Sequence, residues 1–368
     1  MERGSQQRPE ERSGCTTLPV CEVKKDMWVR ALWVALLSAL IGPPAWAQSN
    51  VPVISGGAGF LGGSEGGVTF FQPVVAPVLT VPLGEKWLIE SRADLRGVIF
   101  REQGTTGPFR GRFFGTLEYL QLDYNATSRL TITAGRFLTP FGIFNERVSP
   151  IWINKLQDPP LIAAIGTQAG YSNGFMVRGA VVSRSNYAVN YTAYFSTLSS
   201  VDNLRSRRSV GGRAGVFFPR TRLELGTSFG RSLQDVRRNS VGLDVSWTPY
   251  QVPLDIKGEW AHSPSGHGFW LQTAYRLSHF RGPDSKLGRL EPVFRTDQFW
   301  RSQPIPGDFL PGADRRRLNF GLNYYLPHEV RLNASYSRNL VAHATDVNVW
   351  RFGITYRFLL PLWPGGTK

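Results

Sequence analysis

Near the end of the chain the residues alternate with a period of two. Trp350, Phe352, Ile354, Tyr356 and Phe358 hold one phase, and Val349, Arg351, Gly353, Thr355 and Arg357 hold the other. Successive side chains of a strand point to opposite faces, so 347–358 predicts a strand with an aromatic face and a basic or small-residue face. That division suits lipid on one side and water on the other. Comparable segments recur at 51–61, 70–82, 87–101, 113–124 and 129–137, and then at 171–183, 186–198, 209–218, 222–233, 239–248, 254–262, 268–280, 289–300, 317–326 and 330–340. The first of these is weak and laden with glycine, and the glycine-rich 62–67 reads as the loop that ends it.

The connections alternate in length. Short turns such as 219–221, 249–253 and 327–329 take turns with longer polar loops such as 199–208 and 301–314. Outer-membrane barrels have short periplasmic turns and longer outside loops, so the alternation assigns sides. Working back from a last strand that runs toward the periplasm, 51–61 must be the first strand and the total is sixteen. The expected fold is therefore all-β, a transmembrane antiparallel β-barrel spanning about 51–358 with a short C-terminal extension, 359–368. The one long interruption, 138–170, falls between the fifth and sixth strands and makes the third outside loop. It carries Phe141, Ile143, Phe144, Ile151, Trp152, Ile153, Leu161 and Ile162, and a loop so long and apolar is expected to fold inward and pack. The alternative is an extra hairpin within it, for eighteen strands.

Charge sharpens this picture. The chain carries a net charge of +15 from 42 basic and 27 acidic residues. Arginine dominates, and its guanidinium stays charged and forks onto oxyanions. With the apolar phase toward lipid, the inward phase holds Arg92, Arg96, Arg178, Arg213, Arg276, Arg295, Arg317, Arg331, Arg351 and Arg357, while the long loop adds Arg147 and Lys155. The same phase holds Asp94, Glu118, Glu224, Asp244, Asp255, Glu259, Glu291 and Asp297. A lumen of mixed sign with a cationic excess favours anions, which can step between successive weak sites. Against this stands cross-strand pairing, in which arginines simply knit the wall. Arg331, Arg351 and Arg357 have no acid in their own inward rows and are the expected unpaired charges.

Export is written at the other end. Met27 to Arg30, the apolar run 31–41 and Ala45-Trp46-Ala47 form the three parts of a secretory signal, which makes 27–47 a signal peptide and 48–368 the barrel. Residues 1–26 precede a natural start at Met27, hold both cysteines (Cys15 and Cys21) and read as a mis-called upstream extension. After the signal no run approaches the roughly 20 apolar residues of a membrane helix. Nothing in the chain asks for a cofactor or a metal. A secretion signal argues against nucleic acid as the partner of the basic charge. A barrel enzyme would need a site at His262, His267, His279, His328 or His343, none of which has serine-base-orienter spacing. A carrier of hydrophobic substrates is disfavoured by the charged inner phase.

At Gly135-Arg136-Phe137-Leu138-Thr139-Pro140-Phe141-Gly142 the chain resembles the strand-to-loop junction of the phosphate-selective porins of the O and P type, and the hairpin from Leu318 to Leu332 is a second match. The resemblance implies an outer-membrane porin of Gram-negative cells, passing small anionic or hydrophilic solutes and usually trimeric. Its further partners would be lipid, lipopolysaccharide and the barrel-assembly machinery. That family selects phosphate with a lysine-rich loop, whereas this loop holds a single lysine, Lys155.

Overall fold

The computed structural model describes residues 51–362 except 103, 105, 106, 168, 169, 202, 203, 235, 236 and 306. The signal peptide and upstream extension expected at 1–47 lie outside the described residues. Sixteen strands pair in order, each antiparallel to the next, and β1 (Val53–Glu65) closes on β16 (Val347–Pro361). Closure leaves no edge, so every strand finds backbone partners on both sides, the condition for a sheet in hydrocarbon. Between them run β2 (Val68–Leu83), β3 (Trp87–Glu102), β4 (Arg110–Thr127), β5 (Leu130–Leu138), β6 (Tyr171–Ser183), β7 (Ala188–Ser196), β8 (Ser209–Phe218) and β9 (Leu223–Ser232). The second half holds β10 (Arg238–Trp247), β11 (Leu254–Ser263), β12 (Gly266–Tyr275), β13 (Leu290–Arg301), β14 (Arg315–Tyr325) and β15 (Val330–Val341).

The two phases of β16 are distinct: Trp350, Phe352, Ile354 and Tyr356 are exposed, while Val349, Arg351 and Thr355 are buried. The same exposed phase continues on neighbouring strands through Phe60, Phe320, Leu322 and Leu332. Buried positions, by contrast, are rich in arginine, aspartate, asparagine and serine.

Several boundaries differ from expectation, each for a local reason. Gly62 to Glu65 belong to β1 and not to a loop, leaving Gly66 and Gly67 as the turn at φ +54° and +81°, the geometry that two-residue hairpins take up with glycine. Glycine inside this strand permits close packing, since a Cβ on Gly63 would lie 2.2 Å from the Trp350 carbonyl oxygen. At the far end β16 continues past Phe358 to Pro361, pairing Leu359 with Ser55 and Leu360 with Ile54.

The alternation of loop lengths also breaks. The turn 264–265 is short on the long-loop side, and 276–289 is long on the short-turn side, where it holds the one-turn helix α1 (Ser278–Arg281). A bulge where β4 passes Arg92 and Ala93 sets Glu118 out of register. Beyond it Tyr119, Gln121 and Asp123 take over the buried phase, so Asp123 escapes the exposed row that strict alternation would have given it. No strand forms among the described residues of 139–170, so the eighteen-strand alternative does not arise.

Candidate functional site

The connection 139–170 begins at the junction motif. Gly135 has φ +122°, and a Cβ there would sit 2.4 Å from the Leu120 carbonyl oxygen, so only glycine fits. Arg136 donates to the Leu117 carbonyl at 2.7 Å and to Asn173 Oδ1 at 2.9 Å, with its guanidinium over the Tyr171 ring. Phe137 is fully buried against Met176 and Tyr194. Thr139 N–H donates to the Gly170 carbonyl at 3.0 Å, and Asn145 Nδ2 donates to both Thr139 and Gly170 carbonyls at 3.0 and 2.8 Å. These bonds clamp the two feet of the connection together.

Its apolar residues then find partners on the buried phase of the sheet. Phe141, Ile143, Phe144, Val148, Leu161, Ile162 and Ile165 cluster with Ala261, Trp270 and Phe299 of β11 to β13, and Leu156 packs with Ala274 and Val293. A π-helical turn at Phe144–Val148 opens the segment. Ahead of it Gly142, at φ +65°, donates its N–H to Ser228 Oγ at 3.0 Å. The Glu259 carboxylate accepts from the backbone N–H of Ile143 and Phe144 and from the indole Nε1 of Trp270. A buried carboxylate held by neutral donors alone is a positional latch, since removing it would strand three donors.

Charged groups extend the attachment from β9 round to β1. Lys155 bridges Glu291 at 2.9 Å and Asp255 at 3.1 Å. Burial alone would lower its ammonium pKa, but those two carboxylates outweigh burial and hold it above the ordinary value. Arg295 donates to the Asp158 carbonyl at 2.7 Å and Arg317 to the Pro159 carbonyl, while both pair with Asp297. Arg147 pairs with Glu224 at 2.7 Å, and Arg213 joins Glu224 to Asp244. The Trp152 ring lies over Gly57, where a Cβ would meet it at 2.6 Å.

This geometry corrects the expectation for the last two strands. Arg351 is paired, to Asp158 at 3.0 Å and to Glu65. Arg331 is spent on the carbonyls of Ile151 and Asn154, at 2.7 and 2.8 Å. Their partners come from the connection and from β1, which only barrel closure sets beside β16, so a search within the last two strands misses them. Arg357 alone of the three is exposed and without a side-chain partner among the described residues. Arg276 donates to the Gly288 carbonyl at 3.3 Å and stacks on Tyr325.

The side formed by β3 to β7 is different. Arg92 pairs with Glu118, Arg96 with Asp94 at 2.8 Å, and Arg178 with Asp123 at 3.9 Å. Here a cavity of about 590 Å³ opens, lined by Glu90, Tyr119, Gln121, Arg178 and Tyr191 on the strands and by Glu146 and Arg147 on the connection. Burial pushes the Glu146 carboxyl above the usual carboxylate range, against the pull of Arg178, Arg147 and Arg213. Glu90, Asp123, Glu146, Glu65 and Asp158 are all absent from the inward acids read along the chain. Asp123 carried a signal, because a carboxylate in a lipid-facing row is costly and implies a bulge upstream.

The histidines weighed for catalysis are scattered. His262 and His267 stand in a row of rings with Trp260 and Trp300, His279 lies in α1, and His328 and His343 lie in turns.

No protein-family model matches the sequence, and no curated protein is similar to it. Solved structures are similar in fold. OprB of Pseudomonas putida, in its high-pH structure, aligns with a TM-score of 0.58 at 8% identity, over 84% of this chain and 94% of that one. A loop-deletion variant of OmpT, an outer membrane protein of Vibrio cholerae, aligns at 0.55 with 10% identity over 84% and 100%. The anion-selective porin from Comamonas acidovorans aligns at 0.50 with 12% identity over 84% and 99%. The chain thus has the closed antiparallel barrel fold of outer-membrane porins.

Proposed function

We propose that this chain is an outer-membrane porin through which small hydrophilic solutes diffuse passively, with a preference for anions. On this reading the exposed aromatic rows face lipid and lipopolysaccharide, and the connection 139–170 lies inside the barrel, bound to the wall of β9 to β16. Solutes then pass on the β3 to β7 side, where the cavity is. The observation that supports anion preference is an inequality within three ion pairs that border the open side, although in a fourth, Arg92 with Glu118, the carboxylate is the more exposed partner. Side-chain exposure is 34% for Arg96 against 21% for Asp94, 37% for Arg178 against 6% for Asp123, and 45% for Arg147 against 14% for Glu224. At these three pairs a passing ion meets guanidinium more than carboxylate, and guanidinium suits phosphate and other oxyanions alike. Lys155 is tied to two carboxylates, so it does not supply the lysine-based phosphate site of the family that the chain resembles.

The test is the zero-current potential across a planar bilayer in a salt gradient, whose sign reports charge selectivity. The wild type should sit on the anion side, and Arg96→Gln, Arg147→Gln and Arg178→Gln together should move it toward the cation side. A cation-selective wild type, or a potential unmoved by the triple change, would sink this reading.

A further inference from the structure

A second cavity, of about 480 Å³, opens where β14 turns into β15, at the end of the barrel that carries the start of β1 and the end of β16. Ligand-sized pockets fall in this volume range. Arg276, Arg331, Arg357, His328, Tyr325 and Trp152 line it, and of the three arginines Arg331 is committed to the Ile151 and Asn154 carbonyls. Arg276 is held in place by stacking on Tyr325 and by its Nε bond to Gly288. Arg357 is exposed and has no partner for its side chain among the described residues. The lone acid of the lining, Glu329, is exposed and leaves the cationic excess in place.

The turn beside it adds an independent observation. His328 and Glu329 both sit at φ +60°, a left-handed pair that hairpins ordinarily give to asparagine and glycine. Side chains kept at strained positions are a recognised mark of functional sites, and here the strained turn brings an imidazole to the cavity wall.

We infer that this vestibule is a binding site for a small polyvalent oxyanion, a di- or tricarboxylate or a diphosphate. With Arg276 held in place and Arg357 unbonded, a monovalent ion leaves one of these two guanidinium groups unsatisfied, whereas a polyvalent ion satisfies both with charge-assisted hydrogen bonds. The site lies apart from the cavity on β3 to β7. The inference rests on the porin reading only for its sidedness.

Isothermal titration calorimetry with citrate and with inorganic pyrophosphate, on the detergent-extracted full protein, tests binding without reference to transport. The wild type should bind at least one of them, and Arg276→Gln with Arg357→Gln should weaken binding by roughly 10-fold or more. Arg357→Gln alone, at an exposed and unbonded side chain, serves if the double variant loses its heat-modifiable band on a gel. No binding by the wild type, or equal binding by the variants, overturns the site. In bilayers, citrate should block current at lower concentration from the side of the strand termini, and the variant should lose that asymmetry. Absence of any channel current would refute the porin reading while leaving the calorimetric result to decide the site.

Discussion

Glu259 shows how much one side chain can hold. Its carboxylate satisfies two backbone N–H groups of the connection and the Trp270 indole, and Gly142 is glycine partly because a Cβ would lie 2.4 Å from Glu259 Oε1. Glu259→Ala would leave three buried donors unpaired, at about 1–3 kcal/mol each, in a segment whose other anchors are separate. The strands should persist while 139–170 loosens. Trypsin should then cut after Arg147 and Lys155 faster than in the wild type, with β-sheet circular dichroism unchanged. Equal cleavage rates would show that the latch is dispensable.

At the scale of the element, the connection is amphipathic in a particular sense: its apolar side chains and Lys155 engage the sheet, while Glu146 and Arg147 border the cavity on β3 to β7. Because the Glu146 carboxyl titrates above the ordinary carboxylate range, its neutral form persists to higher pH than that of a solvated glutamate. The sign is fixed by that direction. Docking is fully favoured below the ordinary glutamate value and weakens as pH rises from there through the raised one, and the cavity carries one negative charge less on the acid side. Anion preference should therefore rise as pH falls through the raised value toward the ordinary glutamate value. Glu146→Gln should hold the higher preference throughout that range. A zero-current potential with the same pH dependence in both proteins would assign the titration elsewhere.

Across the whole molecule, the exposed and buried phases have opposite duties. Phe352, in the exposed row of β16, meets the closing strand β1 at Gly62, and its ring would lie 2.7 Å from a Cβ there. Phe352→Gln should remove about 1.5–3 kcal/mol of apolar burial in lipid and reduce the yield of heat-modifiable barrel, leaving the selectivity of the surviving channels alone. A change in selectivity as large as that of the triple arginine variant would mean that the two phases had been read the wrong way round.

The phases themselves were legible in the residues, because alternation is a property of neighbouring side chains on one strand. Trp350 to Phe358 announce a two-faced strand, and the alternation of turns and loops leads to sixteen strands with 51–61 as the first. The junction Gly135 to Gly142 and the apolar content of 139–170 mark that connection as one that packs. Pairing across the molecule was not legible. The partners of Arg351 lie in β1 and in the connection, far along the chain, and Arg331 bonds to backbone carbonyls, which no side-chain pattern records. The bulge in β4 moved Asp123 to the buried phase through a register shift that only the neighbouring strand imposes. Sequence alone thus determined the element type, the order and the two faces, all set by local periodicity. The tertiary structure decided which arginines are tied up and which remain open, because that depends on where barrel closure and one long connection bring distant groups together.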